Sequence, residues 1–422
     1  MTRRSRRAIC AALLVALAAV TGPVASASAA RVPDVRGVHL GLLNESTSPG
    51  PAELDAAREV GANTVRVALI WSAVEPTAKG RYQPGVLAKL DDLMSGAAAR
   101  GMRVLPVLYG SPCWASSNPA GCTAESSAWP PRNPADYADF AAFVARRYPG
   151  TLAAIEVWNE PDHINEYYWK GPNKPQTYAA LVKGTYPVVK AADPGLPVLA
   201  GSIVGANGRF LEALYAEGIK GSYDGLSIHY YDLVLAAIRA IEPSRKAAGD
   251  TTPLWATEFG WDSCAPLKEQ GGQICVTPER AKTNLEDVFR AFSTSRKIAG
   301  ATVYTLRDDP VYSFGILNQA GAHKPSWNAL TGAFAGRLGP PRAPKLKIGR
   351  KGGRPVASGT APAGDTVEII AYLRGKVHYK IELVPDRNRR YSVRLPRFVS
   401  RGNWRVVART PFTGRKTSRR VG

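Results

Sequence analysis

Eight short β-branched or apolar runs, separated by longer stretches of helical period, constrain this chain more than any other feature. They are VRGVHLGLL (35–43), NTVRVALI (63–70), MRVLPVLY (102–109), LAAIEVW (152–158), LPVLAGS (196–202), DGLSIHYY (224–231), PLWATEF (253–259) and AGATVYTL (299–306). PAELDAAREVG, PADYADFAAFVARRY and PERAKTNLEDVFRAFSTSRK lie between them with helical spacing, and a last helix begins near Pro325. Strands alternating with helices pair in parallel through right-handed crossovers. Eight such units in about 300 residues match a (β/α)8 TIM barrel. An open doubly wound sheet is the rival; it usually has fewer strands, and no GxGxxG loop follows the first strand here.

The rest of the chain divides around this unit. Residues 1–30 carry Arg3, Arg4, Arg6 and Arg7, an apolar run from Ala8 to Val20, and the small-residue stretch ASASAA. That is the pattern of a secretory signal peptide, too short and wrongly flanked for a membrane span. The expected domains are a barrel over 31–337, a Gly/Pro-rich linker at 338–345, and a basic domain over 346–422. In the last, TVEIIAYLRG, VHYKIELV, RRYSVRLP and NWRVVART alternate and are broken by turn residues, as in a small C-terminal all-β sandwich.

The formal charge of +21 is unevenly placed. The first thirty residues hold +4, residues 31–340 balance to zero, and residues 341–422 hold +17. The basic character therefore belongs to the tail. An exported protein without a nucleic-acid module argues against a nucleic-acid partner, and no membrane span is expected. An anionic cell-wall polymer or acidic polysaccharide is the partner such a field would hold; a basic spacer kept soluble by its charge is the alternative.

After Cys10, four cysteines remain in two local pairs, Cys113 with Cys122 and Cys264 with Cys275. Four cysteines allow three connectivities. Export favours disulfides, the short loops favour the two local bridges, and neither spacing resembles a zinc site.

In a (β/α)8 barrel the C-terminal strand ends and following loops form the active face. His39, Arg66, Asn159, Glu160, His229, Tyr231 and Glu258 all fall there. Glu160 ends the fourth strand and Glu258 the seventh, on opposite sides of the barrel, so their carboxylates can face each other across its mouth. Two facing carboxylates are what glycoside cleavage requires: one donates a proton, the other attacks carbon or activates water. Arg66 beneath Glu258 would hold it ionised, Tyr231 would donate to it, and its charge would raise the pKa of Glu160. Asn159 is placed for a sugar hydroxyl. Trp71, Trp114, Trp129, Trp158, Trp169 and Trp261 lie near these loops, where aromatic faces suit sugar rings. Some are expected to pack the loops instead, Trp158 first.

IEVWNEP on strand four and WATEFGW on strand seven resemble the clan A glycoside hydrolases, in particular cellulase-like family five and xylosidase-like family thirty-nine. The resemblance covers residues 35–335. It implies a retaining β-glycosidase with Glu160 as acid/base, Glu258 as nucleophile, and Arg66, Asn159, His229 and Tyr231 in support. Family five usually has a His near strand three, where Tyr109 stands, and a Trp ending strand eight, where Leu306, Arg307 and Asp308 follow. The expected partner is a carbohydrate, and two carboxylates need neither metal nor organic cofactor. A carbohydrate-binding barrel without turnover and a transglycosylase are the alternatives.

Overall fold

The computed structural model describes residues 33–204, 208–267, 269–270 and 273–421. The expected signal peptide at 1–30 lies outside the described residues. Eight parallel strands close into a barrel: β1 (Val35–Leu43), β2 (Thr64–Ile70), β3 (Arg103–Tyr109), β4 (Ile155–Val157), β5 (Val198–Ile203), β6 (Gly225–His229), β7 (Leu254–Phe259) and β8 (Ile298–Val303). Each pairs with its neighbours in chain order, and β8 pairs with β1. The strands fall within the expected runs to a few residues. The fourth is the exception, only three residues long where seven were expected. Leu152 makes only an isolated bridge to Val104, and Trp158 turns to φ 67°, out of extended geometry.

The helices between the strands start where the sequence permits. Pro51–Glu59, Pro134–Arg147, Pro278–Phe292 and Pro325–Phe334 all begin on proline, whose fixed φ and missing N–H suit a first helical turn. Asn133 accepts a hydrogen bond from the Ala135 N–H, and Thr277 from the Arg280 N–H, capping two of them. Their apolar faces pack on the outside of the barrel. Inside it, near the strand starts, Val35, Leu105, Leu199 and Trp255 form an apolar plug. A Cβ at Gly225 or Gly300, on the strands flanking β7, would collide with the Trp255 ring. These two glycines give the indole its room.

Beyond the barrel, seven antiparallel strands form two sheets. β9 (Lys347–Lys351), β10 (Arg354–Thr360) and β13 (Arg390–Arg394) make one, in the order β9-β10-β13. β11 (Val367–Leu373), β12 (Lys376–Leu383), β14 (Trp404–Arg409) and β15 (Lys416–Val421) make the other, in the order β12-β11-β14-β15. Ala357 and Tyr391 from the first sheet and Ile369, Ala371, Val406 and Ala408 from the second share one apolar core. This is the expected all-β sandwich.

The sandwich is fastened to the barrel by buried ions. Asp287, on the helix Pro278–Phe292, pairs with Arg342 at 2.6 Å and Arg389 at 2.7 Å, and accepts from the Ala363 N–H at 3.2 Å. Arg239 pairs with Asp365 at 3.1 Å and Glu382 at 2.6 Å. The N–H of Leu235 donates to the Gly364 carbonyl at 2.8 Å. Removing one partner of a buried pair strands the others. Because Arg342 is half-exposed, Asp287→Ala is expected to cost about 2–3 kcal/mol. Thermal denaturation reads the loss, and limited proteolysis should cut faster near 338–345. An unchanged melting temperature and cleavage rate would show that the joint rests on other contacts.

Candidate active site

The end of β4 is a sharp turn built on an aromatic frame. Tyr178 Oη donates to the Val157 carbonyl at 2.8 Å and accepts from the Gly201 N–H at 2.9 Å. Tyr137 Oη donates to the Leu108 carbonyl at 2.8 Å. The Trp158 indole N–H donates to the Tyr168 carbonyl at 2.6 Å, and its ring meets Trp169 edge-on at 5.0 Å. Trp158 and Glu160 have φ of 67° and 45°, a left-handed geometry that non-glycine residues adopt at a cost of order 1–3 kcal/mol. The frame holds the turn, and the turn aims Asn159 and Glu160 into the barrel mouth.

At the centre lies Arg66, fully buried on β2. Its Nε donates to Glu156 at 2.8 Å and its Nη1 to Glu258 at 2.5 Å. Nη1 also reaches His39 Nδ1 at 3.3 Å, and Nη2 donates to Asn159 Oδ1 at 3.2 Å. A guanidinium can only donate, so His39 accepts at Nδ1 and is neutral. Burial, and then Arg66, push the His39 pKa down to about 3. Burial opposes the charge on Arg66, but Glu156 and Glu258 outweigh it and raise its pKa.

Glu156 was not singled out by the sequence reading, although an acid inside the apolar run IEVW was a legible signal. It is fully buried, and its Oε1 accepts from Ser202 at 2.8 Å and Thr257 at 2.7 Å. Burial works against its charge; Arg66 and His229 overcome it, and the pKa is lowered.

His229 stands between the two facing acids. Its Nδ1 is 3.0 Å from Glu160 Oε1 and 3.7 Å from Glu258 Oε2. Its Nε2 lies 3.0 Å from Thr257 Oγ1, whose own proton is committed to Glu156. Nε2 also lies 3.3 Å from Arg66 Nη2, a donor, while Nδ1 faces the two acids, which favour a positive charge on the ring. Burial opposes that charge, yet Glu258 and the bond to Glu160 raise the pKa above its ordinary value. Glu160 and Glu258 offer oxygens within 4.8 Å of each other, and the same histidine nitrogen approaches both.

Glu258 ends β7 and accepts from Tyr231 Oη at 2.7 Å. Burial alone would raise its pKa, but His229 and Arg66, with the Tyr231 hydrogen bond, bring it down to about 2. Burial and the Glu258 charge push the Tyr231 phenol well up, so it stays a donor.

The remaining expected residues are less uniformly placed. Tyr109 is half-buried, 5.6 Å edge-on to Tyr168, and burial and Glu258 raise it to about 12. Among the described residues no tryptophan completes the wall at strand eight. Tyr304 does so, joined to Thr305 by a cis peptide and stacked on His39 at 5.1 Å. Trp71, Trp158 and Trp169 are buried in the loop frame, and Trp114 donates to the Glu75 carbonyl at 2.9 Å. Trp129 is half-buried, with Gly171 close against its ring. Trp261 is also buried and lies outside the Arg66 cluster, at the joint with the sandwich. Cys113 is bonded to Cys122 and Cys264 to Cys275, in the loops after β3 and β7.

Glu160, His229 and Glu258 each offer one atom within 4.8 Å of the others, a spacing that would also admit a cation. Arg66 already places its positive charge against Glu258, and a divalent ion would meet that charge at close range. What the arrangement does provide is one carboxylate held firmly ionised opposite a second that is hydrogen-bonded and open to a proton donor.

A parallel barrel with two acids facing across its mouth defines a glycoside hydrolase of clan A. The family model "Cellulase (glycosyl hydrolase family 5)" matches residues 27–268, more than half of the chain, and the chain belongs to that family. Among solved structures, it is similar to the family-39 enzyme of Xanthomonas axonopodis pv. citri, with TM-score 0.55 and 16% identity over 87% of this chain and 93% of that one. The GH5_18 protein of Streptomyces cattleya, solved with GlcNAc, gives 0.55 and 17% over 74% and 83%. The family-39 β-xylosidase of Caulobacter crescentus gives 0.52 and 16% over 87% and 95%. At these identities the likeness is one of fold. No curated protein sequence matches the chain.

The Glu258 shift carries a sign for stability. An unfolded Glu takes up its proton near pH 4.5, whereas the folded one stays ionised to about 2. Between those values the unfolded state binds more protons, so stability falls as pH drops through the window. Thermal melts from pH 6 to 2.5 should show this loss, and Glu258→Gln should make the slope shallower. An identical slope in that variant would place the titration elsewhere.

Proposed function

We propose that this protein is an exported, retaining β-glycosidase acting on a β-linked glycan or glycoside. The observation that carries the reading is the separation of the two acids, whose oxygens lie within 4.8 Å. Retention goes with carboxyl groups about 5–5.5 Å apart, and inversion with roughly 6.5–9.5 Å, which leaves room for a water. Export rests on the N-terminal pattern and on two disulfides, which persist in oxidising compartments. No helix among the described residues is long and apolar enough to cross a membrane.

In this mechanism Glu258 attacks the anomeric carbon, and Glu160 gives its proton to the departing oxygen. Arg66 and Tyr231 keep Glu258 anionic before attack, so it is ready at any ordinary pH. His229 orients Glu160 through Nδ1. Once Glu258 is esterified its charge is gone, and Glu160, now ionised, takes a proton from the incoming water. The water frees the sugar and restores the carboxylate. Asn159, its oxygen held by Arg66, turns its amide toward a hydroxyl beside the reacting carbon. The chemistry needs neither metal nor organic cofactor.

Glu258→Gln is expected to lower kcat by about 10³-fold or more with an unchanged circular dichroism spectrum. Glu160→Ala should slow substrates with poor leaving groups far more than dinitrophenyl glycosides, whose departure needs little protonation. Near-normal turnover in the first variant, or equal loss on all substrates in the second, would refute the roles.

The tail is read as an anchor for an anionic cell-wall polymer. Its strand register favours this, because Arg405 stands opposite Arg420. Like charges directly opposite destabilise a sheet, and a bound polyanion relieves them. The full chain should be retained on anionic wall polymer at low salt and released as salt screens the attraction. The double variant Arg405→Glu, Arg420→Glu should lose retention. Binding indifferent to salt would remove the anchor.

A further inference from the structure

The barrel and the sandwich enclose a second cavity, beside the Arg66 cluster and of about 240 Å³. Tyr231, Trp261, Asp262 and Phe314, from the loops after β6, β7 and β8, form its barrel wall; Val384 and Arg387 belong to its sandwich wall. Tyr231 faces both spaces. Its hydroxyl donates to Glu258 at 2.7 Å, while its ring lines the cavity. Phe314 packs on that ring at 5.0 Å and on Tyr304 at 5.7 Å. One layer of aromatic rings thus separates the cavity from the reacting carboxylate.

We infer that this cavity is a subsite for a further neutral sugar unit of the same substrate, an inference that rests on the glycosidase reading above. The volume lies below the roughly 300–1,000 Å³ of pockets for larger ligands, and so suits a single ring. Aromatic faces receive the C–H side of a pyranose, and carboxylate and guanidinium edges receive its hydroxyls. The charge selects against uronic acids. Asp365 and Arg389 are engaged with Arg239 and Asp287. Of the other charged groups on the wall, Asp232, Asp262 and Asp386 face Arg387 alone, so an anionic sugar meets an excess of negative charge. The ion pairs at Asp287 and Arg239 hold the sandwich wall in place, so the subsite is formed before substrate arrives. On this reading the C-terminal domain contributes part of the cleft.

The test compares Glu258→Gln with the same chain carrying Val384→Trp, which fills the cavity from a side chain 66% exposed on the sandwich. Isothermal titration uses cellohexaose, mannohexaose and xylohexaose, and the p-nitrophenyl glycosides of the single sugars. At least one hexasaccharide should bind Glu258→Gln. Val384→Trp should raise its Kd about tenfold while leaving the matching single-sugar glycoside within about twofold. An unchanged hexasaccharide Kd, equal weakening of both ligand sizes, or no hexasaccharide binding would overturn the subsite. Turnover persisting in Glu258→Gln would instead sink the nucleophile assignment, and the ratio of the two affinities would still decide the subsite.

Discussion

A guanidinium buried without water is the constraint on which the barrel mouth depends. Removing a cation from solvent costs several kcal/mol even after relaxation, and Arg66 has no exposed surface through which to recover it. Glu156 and Glu258 offset that cost from β4 and β7, and Asn159 and His39 occupy other edges of the fork. These contacts hold the ends of β1, β4 and β7 in place. The same interaction that makes the cation tolerable fixes Glu258 in position and in its ionised state.

His229 is held by the same arrangement. Glu160 and Glu258 both lie near its Nδ1 and outweigh burial and the approach of Arg66 Nη2 to Nε2 at 3.3 Å, so its pKa is raised. Arg66 and His229 then face three carboxylates in a nearly dry space. Such a cluster is stable only as a whole, which explains why its members come from β1, β2, β4, β6 and β7 and why its acids respond to one another. The aromatic frame around Trp158 has the complementary task of holding a left-handed turn that the backbone would not adopt unaided.

Much of this was legible in the chain. Short apolar runs marked all eight barrel strands, and helical spacing marked four of the helices between and after them. Arg66, Asn159, Glu160, His229, Tyr231 and Glu258 stood out because polar residues ending apolar strands are conspicuous. The structure brings these six together. Glu156 escaped notice because it sits within a strand, where alternation can be read as a solvent face; burial by the barrel reverses that reading. Tyr304 escaped because the wall at strand eight was sought two residues later. Trp261, read as an active-face residue, lies at the joint with the sandwich, where it lines the second cavity.

The linear order of residues was enough to determine a parallel barrel, a sandwich with its own core, and two acids on opposite strands, because periodicity and strand-end chemistry are local properties. Tertiary structure alone decided that His229 approaches both of those acids, that Arg66 joins its own strand to the ends of β1, β4, β6 and β7, and that the sandwich packs onto the barrel and encloses a cavity. Those outcomes depend on distances between segments up to about two hundred residues apart, and local preference carries no information about how far apart such groups come to rest.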